Sequence, residues 1–122
     1  MRAEDLMLGD WVMVAGTPKQ IAALGTEKAG FLDNRGDMFY HYYDNIEPIP
    51  LTLEILHHNG ARTNDKKAEF WRENRPLVLR VEWFNKTATF YGFVFERLTR
   101  IYYVHELQHV WRSTGIDKKF EL

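Results

Sequence analysis

The chain has 122 residues, 45% of them hydrophobic and 27% charged, a balance that belongs to folded domains and excludes a disordered chain. With 16 Lys and Arg against 17 Asp and Glu the formal charge is -1, so the basic excess of most phosphate-binding proteins is missing and the totals argue against a nucleic-acid partner. Cysteine is absent, which excludes disulfides, thiolate catalysis and cysteine-ligated zinc.

No apolar run approaches the roughly 18 residues of a membrane span, and the start, "MRAEDLMLGDW", is broken by Gly9 and Asp10 before any signal-like stretch forms. The expectation is one cytoplasmic domain over residues 1–122. Aromatics make up 15% of the chain, a load that suits twisted sheets better than a helical bundle.

Short strands come first. Trp11 to Val14 form a β-rich run closed by Ala15-Gly16, and Ile21 to Leu24 form a second between Pro18 and Gly25. Asn34 to Asp37 read as a turn, and Met38 to Tyr43 as an aromatic strand of alternating core and surface side chains. Within that strand, His41 among stacked rings offers a weaker reading as a platform for single-stranded nucleic acid.

Pro48 and Pro50 bar regular structure. The stretch "TLEILHHNG" then predicts a short helix with Thr52 as N-cap, Ile55 and Leu56 buried, and Asn59-Gly60 as the stop. His57 and His58 close that helix at the negative end of its dipole, where a solvated cap is the simpler reading than metal ligation. Residues 61–76, "ARTNDKKAEFWRENRP", read as a polar excursion.

"LVLRVEW" alternates, with Leu77, Leu79, Val81 and Trp83 on one face, and predicts a hairpin through "FNKT" to "ATFYGFVFERL". The return strand has few polar residues, which predicts cover on both sides, and Gly92 within it predicts a close backbone approach. "TRIYYV" adds a third strand. Tyr103 to Thr114 have helical periodicity with Val104, Leu107, Trp111 and Thr114 on one face, Gly115 supplies a stop, and "DKKFEL" could form an edge strand.

That last helix contains His105, Glu106 and His109 in the order His-Glu-x-x-His. Residues four apart on a helix face one way, so two imidazoles could take two tetrahedral positions on zinc while the glutamate serves as general base. A catalytic zinc needs a third protein ligand, and the downstream supply is thin: Arg112 and Gly115 stand where a metzincin has glycine and histidine. The third ligand would have to be Asp117 or Glu121, or come from upstream, for example from His41, His57 or His58. With Val104, Leu107 and Trp111 turned to the core, the two histidines and Glu106 are expected toward solvent or on the helix flank. No catalytic, metal or cofactor residue is therefore assigned; His105 and His109 with Glu106 as base form the alternative.

Three segments, "LMLGDWV", "IEPIPLTLEIL" followed by "NG", and "YVHELQH" before "GI", together resemble a family of short uncharacterised proteins from gut Bacteroidetes genomes and their phages and mobile elements. The resemblance spans most of the chain and implies no established activity, cofactor or catalytic residue. It also implies that asparagine can stand at the position matching His109.

The expected fold is α+β: a small bent antiparallel sheet or SH3-like partial barrel, with a short central helix and a longer helix near the C-terminus. The expected function is a phage- or mobile-element-type interaction or structural module without catalysis, whose partner is another protein or a second copy, meeting an exposed aromatic patch beside residues 61–76. A minimal zinc hydrolase and a nucleic-acid binder using sheet aromatics are the alternatives.

Overall fold

Hairpins account for most of the ordered backbone in the computed structural model, which describes residues 1–72, 75–84, 87–94, 97–113 and 119–122. The chain divides into two compact units, Met1–Ile49 with Tyr103–His109, and Pro50–Tyr102 with Val110–Leu122. The class is α+β, with antiparallel sheets, a short helix in mid-chain and a longer one near the C-terminus. Among the described residues no sheet closes into a barrel, and no helix is long and apolar enough to cross a membrane.

Unit 1 contains β1 (Trp11–Val14), β2 (Thr17–Gln20), β3 (Ala23–Leu24), β4 (Lys28–Leu32), β5 (Met38–Tyr42) and β6 (Ile46–Glu47). They form two three-stranded sheets, β2-β1-β6 and β3-β4-β5. Ala15 and Gly16 both have positive φ, 50° and 76°, the two-residue turn whose twist matches a hairpin. Val12 and Val14 point inward from β1 and join Leu6, Ile21, Ala29, Phe31, Tyr43 and Ile46 in one core.

The strand expected from Ile21 to Leu24 is confined to Ala23–Leu24, which form β3, and the residues just before Ile21, Thr17–Gln20, form β2. Pro18 is tolerated because β2 lies at a sheet edge. Strand β4 was not among the sequence expectations, because Gly30 interrupts its pattern. The structure shows why a glycine is there: a Cβ would lie 2.8 Å from Met38 Sδ and 3.0 Å from Tyr40 Cε1, so Gly30 lets these side chains fold across β4.

Unit 2 contains α1 (Leu53–His58), β7 (Arg62–Thr63), β8 (Lys67–Arg72), β9 (Arg75–Phe84), β10 (Thr87–Val94) and β11 (Arg97–Ile101). The five strands form one antiparallel sheet ordered β11-β10-β9-β8-β7. Thr52 Oγ1 accepts the Ile55 N–H at 3.2 Å as the expected N-cap, and Gly60 at φ 95° follows the helix stop. Asn59 also holds the chain end: its Nδ2 donates to the Glu121 carbonyl and its Oδ1 accepts the Glu121 N–H, both at 2.7 Å. Residues 119–122 therefore lie tied to α1 with no strand of their own, while Asp117 falls outside the described residues.

The supposed polar excursion is an edge hairpin. Asn64 Oδ1 accepts from the Lys66 and Lys67 N–H groups at 2.8 and 2.9 Å to make its turn, and Ala68 and Phe70 alternate inward from β8. Two inward residues are too few to stand out among so many charges. Leu77, Leu79, Phe90 and Ile101 complete that buried face.

Among the described side chains of β10, Phe90 is buried while Thr89 and Tyr91, on the other side, are only partly buried. Trp83 departs from expectation, remaining 48% exposed, with its Nε1 donating to the Asp65 carbonyl at 2.7 Å. Gly92 fulfils its reading, since a Cβ there would meet the Val78 carbonyl oxygen at 2.7 Å. The final helix, α2 (Val104–Ser113), contributes its residues through His109 to unit 1 and the rest to unit 2. Thr114 and Gly115 fall outside the described residues.

Candidate functional site

The face of α2 that carries the histidines is only partly open to water: the His109 side chain is 30% exposed and Glu106 is partly buried. His105 is 6% exposed and Gln108 4% exposed, and both belong to unit 1. The Gly9-Asp10-Trp11 segment docks against this face through polar contacts. Gln108 Nε2 donates to the Gly9 carbonyl at 2.9 Å, and Gln108 Oε1 accepts the Trp11 N–H at 2.8 Å. One side-chain amide thus satisfies a donor and an acceptor on either side of Asp10, as a neighbouring strand would.

Asp10 is fully buried. Its Oδ2 accepts the Met7 N–H at 2.8 Å and lies 2.7 Å from His109 Nε2. A carboxylate out of water requires such partners, and the two motifs "LGDW" and "HELQH" supply them to each other across the sequence. Hydrophobic periodicity could not have foretold this, because the inward residues on this side of the helix are polar. The corresponding signal is a pair of polar residues, Gln108 and His109, immediately beside the buried Leu107.

Glu106 has a different task. Its Oε1 accepts the Tyr103 N–H at 2.9 Å, the backward half of a capping box at the start of α2. His105 stacks on Tyr103, with ring centroids 5.9 Å apart and 11° between planes, and meets His109 edge-on at 5.8 Å. Burial pushes the His105 imidazole below its ordinary pKa, against the opposing pull of Glu106 and Asp10. Its Nδ1 is buried without a hydrogen-bond partner.

A cavity of about 660 Å³ opens beside these rings, lined by Arg2, Asp5, Tyr103, His105, Glu106 and His109 among others. The Asp10–His109 pair resembles the orienting half of a catalytic triad. Among the described residues, those lining the cavity include no serine or threonine hydroxyl for the pair to activate. Of the zinc candidates, His109 has one ring nitrogen on Asp10, a contact that also orients metal-bound histidines, Glu106 is engaged by the helix start, and among the described residues no three His, Asp or Glu side chains are grouped to hold a metal. His41 packs between Phe31 and Phe39 in the β4–β5 sheet. His57 and His58 are exposed on α1 and Glu121 is exposed at the chain end, all three in unit 2.

A second surface of unit 1 has different chemistry. Cross-strand register pairs Leu32 with Met38, Gly30 with Tyr40 and Lys28 with Tyr42, so the side chains of these residues share one face of β4 and β5. Leu32, Met38, Tyr40 and Tyr42 are 55%, 40%, 58% and 52% exposed. The one charge among these paired residues, Lys28, lies over the Tyr42 ring with Nζ 4.4 Å from its centroid. Phe39 and His41 turn to the opposite side and pack on Phe31.

No protein-family model, curated protein or solved structure matches the chain.

Proposed function

We propose that this protein is a cytoplasmic, phage- or mobile-element-type interaction module without catalysis, which binds a partner protein or a second copy of itself through the outer face of β4 and β5. The observation that carries this reading is the row Leu32, Met38, Tyr40 and Tyr42, four large side chains exposed side by side on one sheet face. Water-exposed apolar rows of this kind are costly to leave open, and tyrosine and methionine are enriched where proteins meet. The site differs from the expected patch beside residues 61–76, where Trp83 is the exposed ring bonded to that segment.

The experiment is site-specific photocrosslinking with a benzophenone amino acid at position 32, in the cell where the protein is normally made. The expected result is one discrete crosslinked species, either a dimer of this chain or one other protein, lost when Tyr40→Asp is added. A diffuse smear or uncrosslinked chain alone would overturn the reading. The zinc-hydrolase alternative has its own check: chelation should leave the melting temperature of untagged protein unchanged, and a chelator-dependent fall would restore His105 and His109 as ligands.

A further inference from the structure

Charge is distributed unevenly between the units. Unit 2 holds 12 of the 16 Lys and Arg residues against 8 Asp and Glu, whereas unit 1 holds 4 against 9. The near-neutral total conceals a basic unit, and its basic side chains are ordered by the sheet. Register sets Lys67 opposite Arg80, Arg80 opposite Tyr91, and Tyr91 opposite Arg100. Directly opposed residues project to the same side, so the four form one transverse row across β8, β9, β10 and β11. This is the face away from Leu77, Leu79 and Phe90. Lys67, Arg80 and Arg100 are exposed on it and Tyr91 is partly buried.

The row is not an ordinary solvated sheet surface. Like charges directly opposite one another destabilise a sheet, yet Lys67 faces Arg80. Lys67 and Arg100 each have one carboxylate, Glu69 at 2.6 Å and Glu82 at 3.0 Å. Arg80, between them on a central strand, has no ion pair among the described residues. The Arg100 guanidinium lies 5.7 Å from the Tyr91 ring centroid, which places a flat aromatic surface in line with the cations. We infer that this face of unit 2 binds single-stranded nucleic acid, with Lys67, Arg80 and Arg100 meeting backbone phosphates and Tyr91 offering its ring to a base.

The dimensions and chemistry suit that occupant. Three interstrand steps span about 14 Å, against about 3.4 Å per phosphate along a stacked strand, so the row can meet several phosphates at once. A cationic track interleaved with an aromatic ring is the arrangement by which sheets hold single strands, because every base has a face to stack. An acidic peptide would use the cations and gain little from Tyr91, and a duplex would bury its bases away from the ring. The charge total counted against nucleic acid only because the acidic unit cancels the basic one.

The test is fluorescence anisotropy of a labelled single-stranded oligothymidylate, titrated with the full chain over a range of salt concentrations. The expected binding weakens with salt on a slope of about -0.7 per phosphate neutralised, about -2 for three cations. Arg80→Gln should reduce the slope by about 0.7, and Tyr91→Leu should weaken binding several-fold while leaving the slope unchanged. Circular dichroism confirms that each variant is folded, and Lys67→Gln, altering an exposed edge-hairpin residue, provides a second slope measurement if one of them is not. Absence of binding at low salt would overturn the inference. So would binding indifferent to Arg80→Gln and Lys67→Gln, or equal competition by a polyglutamate peptide in wild type and Tyr91→Leu.

Discussion

Unit 1 and unit 2 of this chain are built by different means. Every strand of unit 1 has five residues or fewer, whereas β9 and β10 of unit 2 have 10 and 8. Long ladders in unit 2 align an apolar stripe, Ala68, Phe70, Leu77, Leu79, Phe90 and Ile101, that burial alone can hold. Short ladders carry few hydrogen bonds and little stripe. Unit 1 supplements them with buried polar side chains, Asp10 and Gln108, that reach backbone groups no strand neighbour supplies. Such a network contributes orientation as much as stability, since each member works only if its partners stay in place.

The comparison predicts where each unit is most easily broken. Phe90→Ala in unit 2 should have the largest effect, about 4 kcal/mol in urea denaturation, because a 1% exposed ring leaves a cavity the sheet cannot close. A loss under about 1 kcal/mol would mean that the long sheet is held by its ladders and not by its stripe. Asp10→Ala comes next at about 3 kcal/mol, since it removes the carboxylate oxygen shared by the Met7 N–H and His109 Nε2. Asp10→Asn should recover part of that loss, because an amide oxygen can still accept from Met7.

Gln108→Ala, which leaves the Gly9 carbonyl with Gln20 Nε2 and the Trp11 N–H unserved by Gln108, should cost about 2 kcal/mol. If Asp10→Ala and Gln108→Ala are combined, the losses should fail to add, as expected for one network. Strict additivity would separate the two and reduce the clamp to independent contacts. Glu106→Ala removes only the backward half of a capping box and should cost about 1 kcal/mol; a far larger loss would give Glu106 a role beyond the helix start.

Much of unit 2 is legible in the sequence because its physics is periodic. Leu77 and Leu79, the Gly92 approach, Thr52 and Asn59 all announce themselves through alternation or local capping. The β7–β8 hairpin was hidden because only Ala68 and Phe70 mark its inner face, and an alanine is weak evidence of burial. In unit 1 the Trp11–Val14 and Met38–Tyr42 strands were visible, but the docking of "LGDW" against "HELQH" was not. That contact joins residues nearly a hundred positions apart through single hydrogen bonds, and neither periodicity nor propensity encodes such a pairing. Placing His105 on the solvent or flank side of the helix followed from assuming that a helix buries one apolar stripe; His109 does stay partly exposed. Here α2 buries Val104 and Leu107 and, beside them, His105 and Gln108.

The gentlest probe of that buried polar face is pH. The His105 imidazole is held below its ordinary pKa of 6.5, chiefly by burial; His109 acts in the same direction, while Glu106, Asp10 and Asp5 oppose it. Folded chain therefore takes up this proton at lower pH than unfolded chain, and the difference favours unfolding once the unfolded state begins to protonate. The contribution of neutral His105 is intact above about pH 6.5, falls as pH drops through that value, and levels off below the folded pKa. His105→Phe keeps a ring to stack on Tyr103 and replaces the unpartnered Nδ1 with carbon, a change expected to be neutral or mildly stabilising at pH 8. Urea denaturation from pH 8 to pH 5 should show wild type losing more stability than the variant. Parallel curves would mean that His105 finds a proton acceptor in the folded state and is not the neutral, buried ring that its surroundings imply.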